Sequence, residues 1–422
     1  MRPVSSGDSA LRHWLREGFL GRFPRGVWVL SAIQLISSAG FSICLPFLPL
    51  YLHQDRGLTM TVVGSLFLIS GVTSSFAQMA GGLIADRFGR RRLLLGASAL
   101  RFFIYAGLAG LIATGAPVWS IALVFIAGQA VGMTMRPAIA AMIADLTPPA
   151  RLTETYSLLR VGQNVGWASG PALGGYLLTF MPYAWLFGVT ALSSIITLVL
   201  VWWLIGESFQ ASGERVPLRS MFGAAADRRF LTFTLLSLLV FMTLGQLGST
   251  LSVFTVDRIG MSTAQYGMIL TANGIMVALL QYPVGRWAGR LPGATGLALG
   301  AFLFGLGYLG YGGVRSFGWG IGAMLVVTAG EIVFSPLAMS TAGRLSPATH
   351  RGRYMGFFGL SQSLSMSMAP LFGGVLLDSF PHNPWLVWGI ISSVAFAAAG
   401  GLLRWRGLGP DGHPPKSKEA QP

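Results

Sequence analysis

The chain has 422 residues, of which 53% are hydrophobic and 10% are charged, and its formal net charge is +15. Its mean hydropathy of +0.63 is too high for a soluble globular protein, and its apolar residues fall in long runs between short polar turns. We therefore predict an all-α membrane protein, embedded in the lipid bilayer. Because the positive charge lies in the turns, we expect no nucleic-acid partner.

Residues 1–25 carry five arginines ahead of the first apolar run, and no small-residue cleavage site follows that run. This pattern predicts an uncleaved cytoplasmic tail. The apolar runs reach roughly 20 residues, enough to cross about 30 Å of hydrocarbon. We predict twelve transmembrane helices, at residues 26–52, 60–86, 93–114, 117–143, 153–180, 182–206, 229–257, 262–288, 293–314, 317–343, 352–380 and 384–404.

Arginines indicate the orientation of these helices. Connections that lead from an even-numbered to an odd-numbered span are rich in arginine, whereas the connections on the opposite side carry only Arg56, Arg258 and Arg315. Positive charge accumulates on the cytoplasmic side of membrane proteins. Both termini are therefore predicted to be cytoplasmic.

An internal repeat divides the spans into two halves. Pro137, Pro148, Pro171 and the pair Gly174–Gly175 recur 199 residues later, from Pro137 to Pro336 and so on through Pro347, Pro370 and Gly373–Gly374. A repeat of six spans keeps its orientation in the bilayer, as in transporters with parallel halves. We predict two pseudo-symmetric six-helix bundles, 26–206 and 229–404, joined by a cytoplasmic linker, 207–228, and followed by a disordered cytoplasmic tail, 405–422.

Several kinds of site are not expected. The single cysteine, Cys44, lies in the first apolar run, so neither a disulfide framework nor a cysteine metal site is available. The five histidines lie in tails and loops, and no His-x-x-x-His or phosphate-loop pattern occurs. We expect no metal, no cofactor and no catalytic residue, and an ATP-driven pump is not indicated.

A short charged turn, residues 82–92, separates spans two and three and must lie at a membrane surface. In one interpretation, its charges do no more than fix the topology of the chain in the membrane. Alternatively, they form a latch in which Asp86 faces a helix N-terminus or a cation across the interface of the halves and holds the cytoplasmic side shut. The predicted latch residues are Gly82, Asp86, Arg87, Gly89, Arg90 and Arg91, with Asp145 and Arg151 at the end of span four.

Span five has a glycine at every fourth position, at Gly166, Gly170 and Gly174. Residues four apart share one helix face, and small residues on such a face allow a neighbouring helix to approach closely. We predict that this face packs against another span.

Glu331 lies about twelve residues inside span ten, roughly 18 Å from the membrane surface. No other acid lies at that depth. An intramembrane carboxylate can carry a proton reversibly, so we interpret Glu331 as the proton-coupling residue. The alternatives are a permanently protonated glutamate or a structural glutamate paired with an arginine.

Three arginines, Arg101, Arg136 and Arg160, lie about 10 to 13 Å deep. Each can snorkel to the headgroups, or face a cavity and attract an anionic group. Asn164 shares a helix face with Arg160. Intramembrane amides are more often contacts between helices than ligands, but some are candidates for the substrate cavity. The amides are Gln34, Gln129, Gln246, Asn273, Gln281 and Gln362, and the candidates among them for the substrate cavity are Gln34, Gln246, Asn273 and Gln362.

Two motifs resemble the major facilitator superfamily. Gly82, Asp86, Arg87, Gly89, Arg90 and Arg91 fit its G-x-x-x-D-R-x-G-R-R loop pattern, and residues 166–175 fit the G-x-x-x-G-P-x-x-G-G pattern of its antiporters through Gly166, Gly170, Pro171, Gly174 and Gly175. The chain departs from the drug-exporter branch in span four, where Val124 or Gly128 stands at the place of an arginine.

This resemblance implies a monomeric secondary transporter of the drug/proton antiporter branch, in a bacterial inner membrane, with the gating role of the 82–92 turn. We expect it to export small amphipathic compounds by alternating access, using the proton gradient. A second hypothesis is a transporter or facilitator of an anionic amphipathic or lipid-like metabolite. A third is a non-transporting membrane receptor or scaffold.

Overall fold

The computed structural model describes residues 23–148, 151–208, 223–288, 290–291, 294–347 and 350–405. Within these residues the chain forms helices and no β-strand. The predicted tails and most of the predicted linker, 207–228, lie outside the described residues.

The described residues contain α1 to α12, in the order of the predicted spans. In the first half, they are α1 Arg25–Cys44, α2 Met60–Phe88, α3 Arg90–Ala113, α4 Val118–Leu146, α5 Leu152–Leu177 and α6 Ala184–Leu204. In the second half, they are α7 Arg228–Leu244, α8 Thr263–Ala288, α9 Thr295–Tyr311, α10 Phe317–Leu345, α11 Arg351–Ser379 and α12 Pro384–Arg404. Short helical segments continue α1 as far as Gln54 and α7 as far as Arg258.

Ten helical segments of the described chain are long and apolar enough to cross a membrane. Two predicted spans are not among them: α9 has 17 residues, and α5 carries Glu154, Arg160 and Asn164. The chain is therefore an integral multi-pass membrane protein, whereas twelve crossings and cytoplasmic termini stay predictions. The ends of the helices at the α2–α3, α4–α5, α6–α7, α8–α9 and α10–α11 connections, with the start of α1 and the end of α12, are called the arginine-rich end. The opposite ends are called the arginine-poor end.

Exposed tryptophans mark both ends of the helices. Tryptophan prefers the interface between membrane and water, because its ring is apolar and its N–H group is polar. Trp119, Trp185, Trp319 and Trp385 lie exposed in the first turns of α4, α6, α10 and α12, at the arginine-poor end, and Trp202, Trp203 and Trp287 lie exposed near the arginine-rich end. These positions agree with helices that span a bilayer.

The turn between α2 and α3 consists of one residue, Gly89. Its φ of +97° lies in the region that favours glycine, and it ends α2 and begins α3. Gly89 has no side-chain oxygen to accept the first N–H groups of α3, so another residue must supply the acceptor.

Helix contacts fall into two groups. In the first half α1 packs on α5 and α6, α2 on α4, and α3 on α4 and α6. In the second half α7 packs on α11 and α12, α9 on α10 and α12, and α8 on α10. The principal contacts between the halves join α2 to α11 and α5 to α8.

The predicted glycine face of α5 packs on α1. A Cβ atom on Gly166 would meet the Leu35 carbonyl oxygen, and one on Gly174 would meet that of Ile43. The Ser42 hydroxyl of α1 donates a hydrogen bond to the Gly166 carbonyl oxygen at 3.0 Å. These contacts leave the opposite face of α5 for the second half of the molecule.

The contact between α5 and α8 gives a test of this packing. In Gly267→Ala, the new methyl group would collide with the Pro171 carbonyl oxygen, and backbone cannot move aside as a side chain can. Overpacking of this kind costs about 1–3 kcal/mol, so we expect a thermal unfolding midpoint several degrees lower. Gly389→Ala on α12 is the control, since its methyl group meets no atom within 4 Å. Equal midpoints for the two variants would contradict this packing.

Candidate functional site: a cavity between the halves

The contact between α2 and α11 covers only part of their length. Near the arginine-poor end, Gly64 packs on the backbone of Leu371, and two turns further along α2 Gly71 packs on Ser367. Closer to the arginine-rich end, Gln78 lies on the same face and is exposed. A Cβ atom on Gly82 would meet no atom of α11 within 4 Å. The two helices therefore diverge toward the arginine-rich end.

The contact between α5 and α8 is confined in the same way. Ala168 of α5 accepts a hydrogen bond from the Thr271 hydroxyl at 2.9 Å, and Gly175 accepts one from the Thr263 hydroxyl at 3.1 Å. Asn164 lies on the same face one turn closer to the arginine-rich end, and it is exposed. The halves thus enclose a cavity that opens at the arginine-rich end.

Two predicted cavity arginines line this space. Arg160 is exposed on the face of α5 that includes Asn164. Arg136 is exposed on α4, nine residues after the exposed Ala127 and so about 180° away from it around the helix. Since Ala127 shares its face with the exposed Leu123 and Trp119, which face away from the protein, Arg136 faces inward. Neither arginine forms an ion pair within the described residues.

Arg101 behaves differently from these two. It is buried inside the first half, where its Nη1 lies 3.9 Å from the Met135 sulfur and its guanidinium lies over the Tyr105 ring. Arg101 therefore reaches neither the headgroups nor the cavity.

Glu331 lies at the centre of α10 and is partly exposed. Its Oε2 accepts a hydrogen bond at 2.9 Å from the amide nitrogen of Asn273 on α8, and the same nitrogen donates to the Thr328 hydroxyl oxygen at 2.9 Å. Glu331 makes no ion pair within the described residues. The residue is thus hydrogen-bonded but not neutralised by an arginine.

The other predicted cavity amides divide into two kinds. Gln246 is fully buried, with its amide nitrogen donating to the Met242 and Ala369 carbonyl oxygens and its amide oxygen accepting from Thr250. In this conformation Gln246 joins α7 to α11 and does not line the cavity, which corrects its assignment from sequence. Gln34 and Gln362 are partly exposed.

The charged turn separates into a bound part and a free part. Arg90 is buried and forms an ion pair with Asp145 of α4, and the Arg91 side chain donates to the Ile205 and Trp202 carbonyl oxygens at the end of α6. Asp86 and Arg87 are exposed, and Asp86 makes no hydrogen bond or ion pair within the described chain. Arg151 is also exposed. The bound arginines hold the turn to the first half, while Asp86 is free.

Sequence reasoning assigned Glu207 to the linker, but its carboxylate caps α3. It accepts from the Arg90 and Arg91 N–H groups at 3.1 and 3.2 Å. A carboxylate at a helix N-terminus satisfies unpaired N–H groups and faces the positive end of the helix dipole. The lack of a side-chain acceptor at Gly89 was the signal for such a cap.

Asp378 was missed as well, and it joins the halves at the arginine-poor end. Its carboxylate, at the end of α11, accepts from the N–H groups of Met60 and Thr61 at 3.0 and 2.7 Å and from the Thr61 hydroxyl at 2.6 Å. These are the first N–H groups of α2. Asp257, after α7, accepts from Gln54 at 3.3 Å and lies 3.6 Å from His53 at the end of α1. The arginine-poor end is thus held closed by two acids of the second half.

We expect Asp378→Ala to favour opening of the arginine-poor end, because two N–H groups of α2 lose their acceptor. The measurement is the rate at which a maleimide labels the Ser367→Cys variant, whose new thiol lies at the α2–α11 contact. Cys44 is replaced by serine so that it does not react with the maleimide. A lost helix cap costs about 1 kcal/mol, so labelling should be about fivefold faster. Asp55→Ala is the control, since this exposed carboxylate lies at the same end and caps no helix. An unchanged labelling rate in Asp378→Ala would refute the role of the contact.

Comparison with known proteins places this architecture in a family. The Major Facilitator Superfamily profile matches residues 30–264 and again residues 233–422. The chain belongs to the Major Facilitator Superfamily. This superfamily consists of transporters, not enzymes, and it accounts for the resemblance found in the 82–92 turn.

Several superfamily members are similar to the chain over most of its length. The Na(+), Li(+), K(+)/H(+) antiporter of Planococcus maritimus is 26% identical over 88% of the chain and 92% of its own length. Multidrug resistance protein MdtH of Photorhabdus laumondii is 26% identical over 88% of the chain and 93% of its own length. The MFS-type transporter YttB of Bacillus subtilis is 26% identical, with 85% and 89% covered.

Solved structures of other transporters share the fold. A POT family transporter in complex with 5-aminolevulinic acid superposes with a TM-score of 0.75 at 16% identity, over 92% of this chain and 97% of that one. The nucleoside transporter NupG superposes with a TM-score of 0.76 at 13% identity, over 90% and 99%. At these identities the likeness concerns the fold alone.

Proposed function

We propose that this superfamily member is a proton-coupled exporter of small amphipathic compounds in the bacterial inner membrane. The observation that carries the proposal is Glu331, a partly exposed residue at the centre of α10 whose carboxylate makes no ion pair within the described residues. A carboxylate inside the membrane that solvent can reach is suited to bind and release a proton. The multidrug and cation/proton antiporter names among the relatives support the same reading.

Alternating access requires that the cavity close at one end before it opens at the other. Substrate would bind from the arginine-rich side, which is the cytoplasmic side by the charge rule. Protonation of Glu331 would favour one state and substrate the other, since coupling requires that each ligand bind the two states with different affinity. No cofactor is needed, and a monomer suffices for this cycle.

Asp86 is the proposed latch of the other state of the cycle, in which the arginine-rich end is closed. Because α2 and α11 already touch at the arginine-poor end, closing their other ends would bring Asp86 toward the first turn of α11, which begins at Arg351. A carboxylate there would face unpaired N–H groups and the positive end of the helix dipole. This contact would mirror the one that Asp378 makes with α2.

The latch proposal predicts that Asp86→Asn reduces transport but leaves the stability of the present conformation unchanged, since Asp86 has no partner in it. Export rate and unfolding midpoint are the two measurements. Arg92→Gln, which removes an exposed charge of the same turn that is not among the predicted latch residues, is the control and should transport normally. Equal transport by Asp86→Asn and the wild type would exclude the latch.

A second candidate function is transport of an anionic amphipathic compound, and the exposure of Arg136 and Arg160 favours it. Two guanidinium groups without ion pairs on one wall of the cavity would attract a carboxylate or phosphate group. Asn164, one turn from Arg160, could donate a further hydrogen bond.

Proton release on adding cationic, neutral or anionic amphiphiles to the purified protein tests the main proposal. Cationic or neutral compounds should release protons from the wild type and not from Glu331→Gln, because an amide cannot ionise yet can still accept the Asn273 hydrogen bond. Asp55→Asn is the control and should release protons normally. Persistent release by Glu331→Gln would refute the carrier role.

The second candidate function is tested by measuring the binding of the anionic amphiphiles together with proton release. Binding of anions that is lost in Arg136→Ala and Arg160→Ala, without proton release, would favour an anion transporter. Arg315→Ala, an exposed arginine at the opposite end, should bind normally.

A further inference from the structure

The amide of Asn273 is held in one orientation. The Thr328 hydroxyl donates its hydrogen to the Met324 carbonyl oxygen at 2.8 Å, so its oxygen can only accept from Asn273. The amide nitrogen must therefore face Thr328, and its second N–H group is aimed at Oε2 of Glu331. The hydrogen-bond network fixes an orientation that an isolated amide would leave open.

This orientation makes the two carboxylate oxygens of Glu331 unequal. Oε2 accepts the N–H group of Asn273, while Oε1 has no hydrogen-bond partner in the described residues. A proton on Oε2 would compete with the amide hydrogen for the same position. The proton therefore has its place on Oε1, the oxygen without a hydrogen-bond partner.

Asn273 also lies beside the contact between the halves. The next residue, Gly274, packs directly on Ala168 of α5, and the Thr271 hydroxyl donates to the Ala168 carbonyl oxygen at 2.9 Å. Asn273 is thus bonded to the carboxylate on one side, and its own backbone adjoins the contact that must change when the cavity closes.

We propose that Asn273 is a positioning residue for Glu331: its amide directs the proton to Oε1 and links the charge of the carboxylate to the α5–α8 contact. This inference rests on the proposed proton-carrier role of Glu331. An N–H group bonds an ionised carboxylate about twice as strongly as a neutral one. Ionised Glu331 therefore holds α8 firmly to α10, and protonated Glu331 loosens α8 for movement against α5.

The charged side chains that face this link across the cavity are Arg136 and Arg160 of the first half, and neither forms an ion pair with Glu331 within the described residues. Tyr308 of α9 is buried, and its hydroxyl has no hydrogen-bond partner in the described chain. The segments packed against α10 carry no acidic or basic side chain over 295–311 of α9, 267–281 of α8, 230–256 of α7 and 355–377 of α11. Asn273 is therefore the polar group whose removal should change the titration of Glu331 most.

Gln281 provides a matched control. It lies two turns after Asn273 on α8, and its amide donates to the Ile332 carbonyl oxygen of α10 at 3.2 Å. Gln281→Ala thus removes a bond between the same two helices without touching a carboxylate.

The test is the pH dependence of the transport of ethidium, a cationic amphiphilic dye, by the full chain in proteoliposomes. Losing a donor that stabilises the ionised carboxylate lets the protonated form persist to higher pH. The midpoint should therefore rise by about 1 pH unit in Asn273→Ala. Thr328→Val, which removes the group that orients the amide, should raise it less. Gln281→Ala should keep the wild-type midpoint.

Asn273→Asp serves if Asn273→Ala does not fold, because it keeps the shape and should raise the midpoint further by adding a second carboxylate. A wild-type midpoint in both Asn273 variants, or an equal shift in Gln281→Ala, would overturn the inference. Glu331→Gln distinguishes a failure of the proton-carrier role of Glu331 from a failure of the positioning role of Asn273. If it keeps the wild-type pH dependence, the carrier role itself fails. If it loses that dependence while the Asn273 variants do not shift, only the role of Asn273 fails.

Discussion

The rest of the structure depends on the close approach of α2 to α11 and of α5 to α8 at the arginine-poor end. Lipid tails are as apolar as leucine, so helices in a bilayer associate through van der Waals contact and hydrogen bonds, not by hiding apolar side chains from water. Glycines such as Gly64 and Gly267 allow that contact by bringing the backbones together. Because the contact stops partway along the helices, they diverge beyond it, and a polar cavity opens between the halves.

Acidic side chains at helix N-termini recur as the connectors of this molecule. Glu207 caps α3 and Asp227 caps α7, each within one half, whereas Asp378 caps α2 across the interface. The first N–H groups of a helix need acceptors in any conformation, and a carboxylate is a strong one. A cap within a half stabilises one body, but a cap between halves stabilises one arrangement of the two bodies. The same chemistry therefore serves folding in one place and the closed end of the cavity in another.

The walls of the cavity carry opposite charges. Arg136 and Arg160 are exposed on the first half, while Glu331 lies on the second. A proton on Glu331 and an anionic group at the arginines would thus bind to different halves. α8 contacts both the carboxylate, through Asn273, and the first half, through Ala168. α8 is therefore the helix through which the charge of Glu331 would be coupled to the relative positions of the two halves.

The sequence by itself determined the membrane class, the order of the helices, the turn at Gly89, the superfamily and the central depth of Glu331, because all of these follow from local runs, motifs and spacing. It did not determine that Arg136 faces the cavity while Arg101 is buried, that Gln246 is a contact between helices, or that Asp378 caps a helix that begins 318 residues earlier. In a bilayer, lipid-facing and protein-facing positions are both apolar, so hydrophobic periodicity does not reveal which side of a helix faces inward. Only the tertiary structure, by packing particular helices together at one end, decided which polar groups meet and which stay open to solvent.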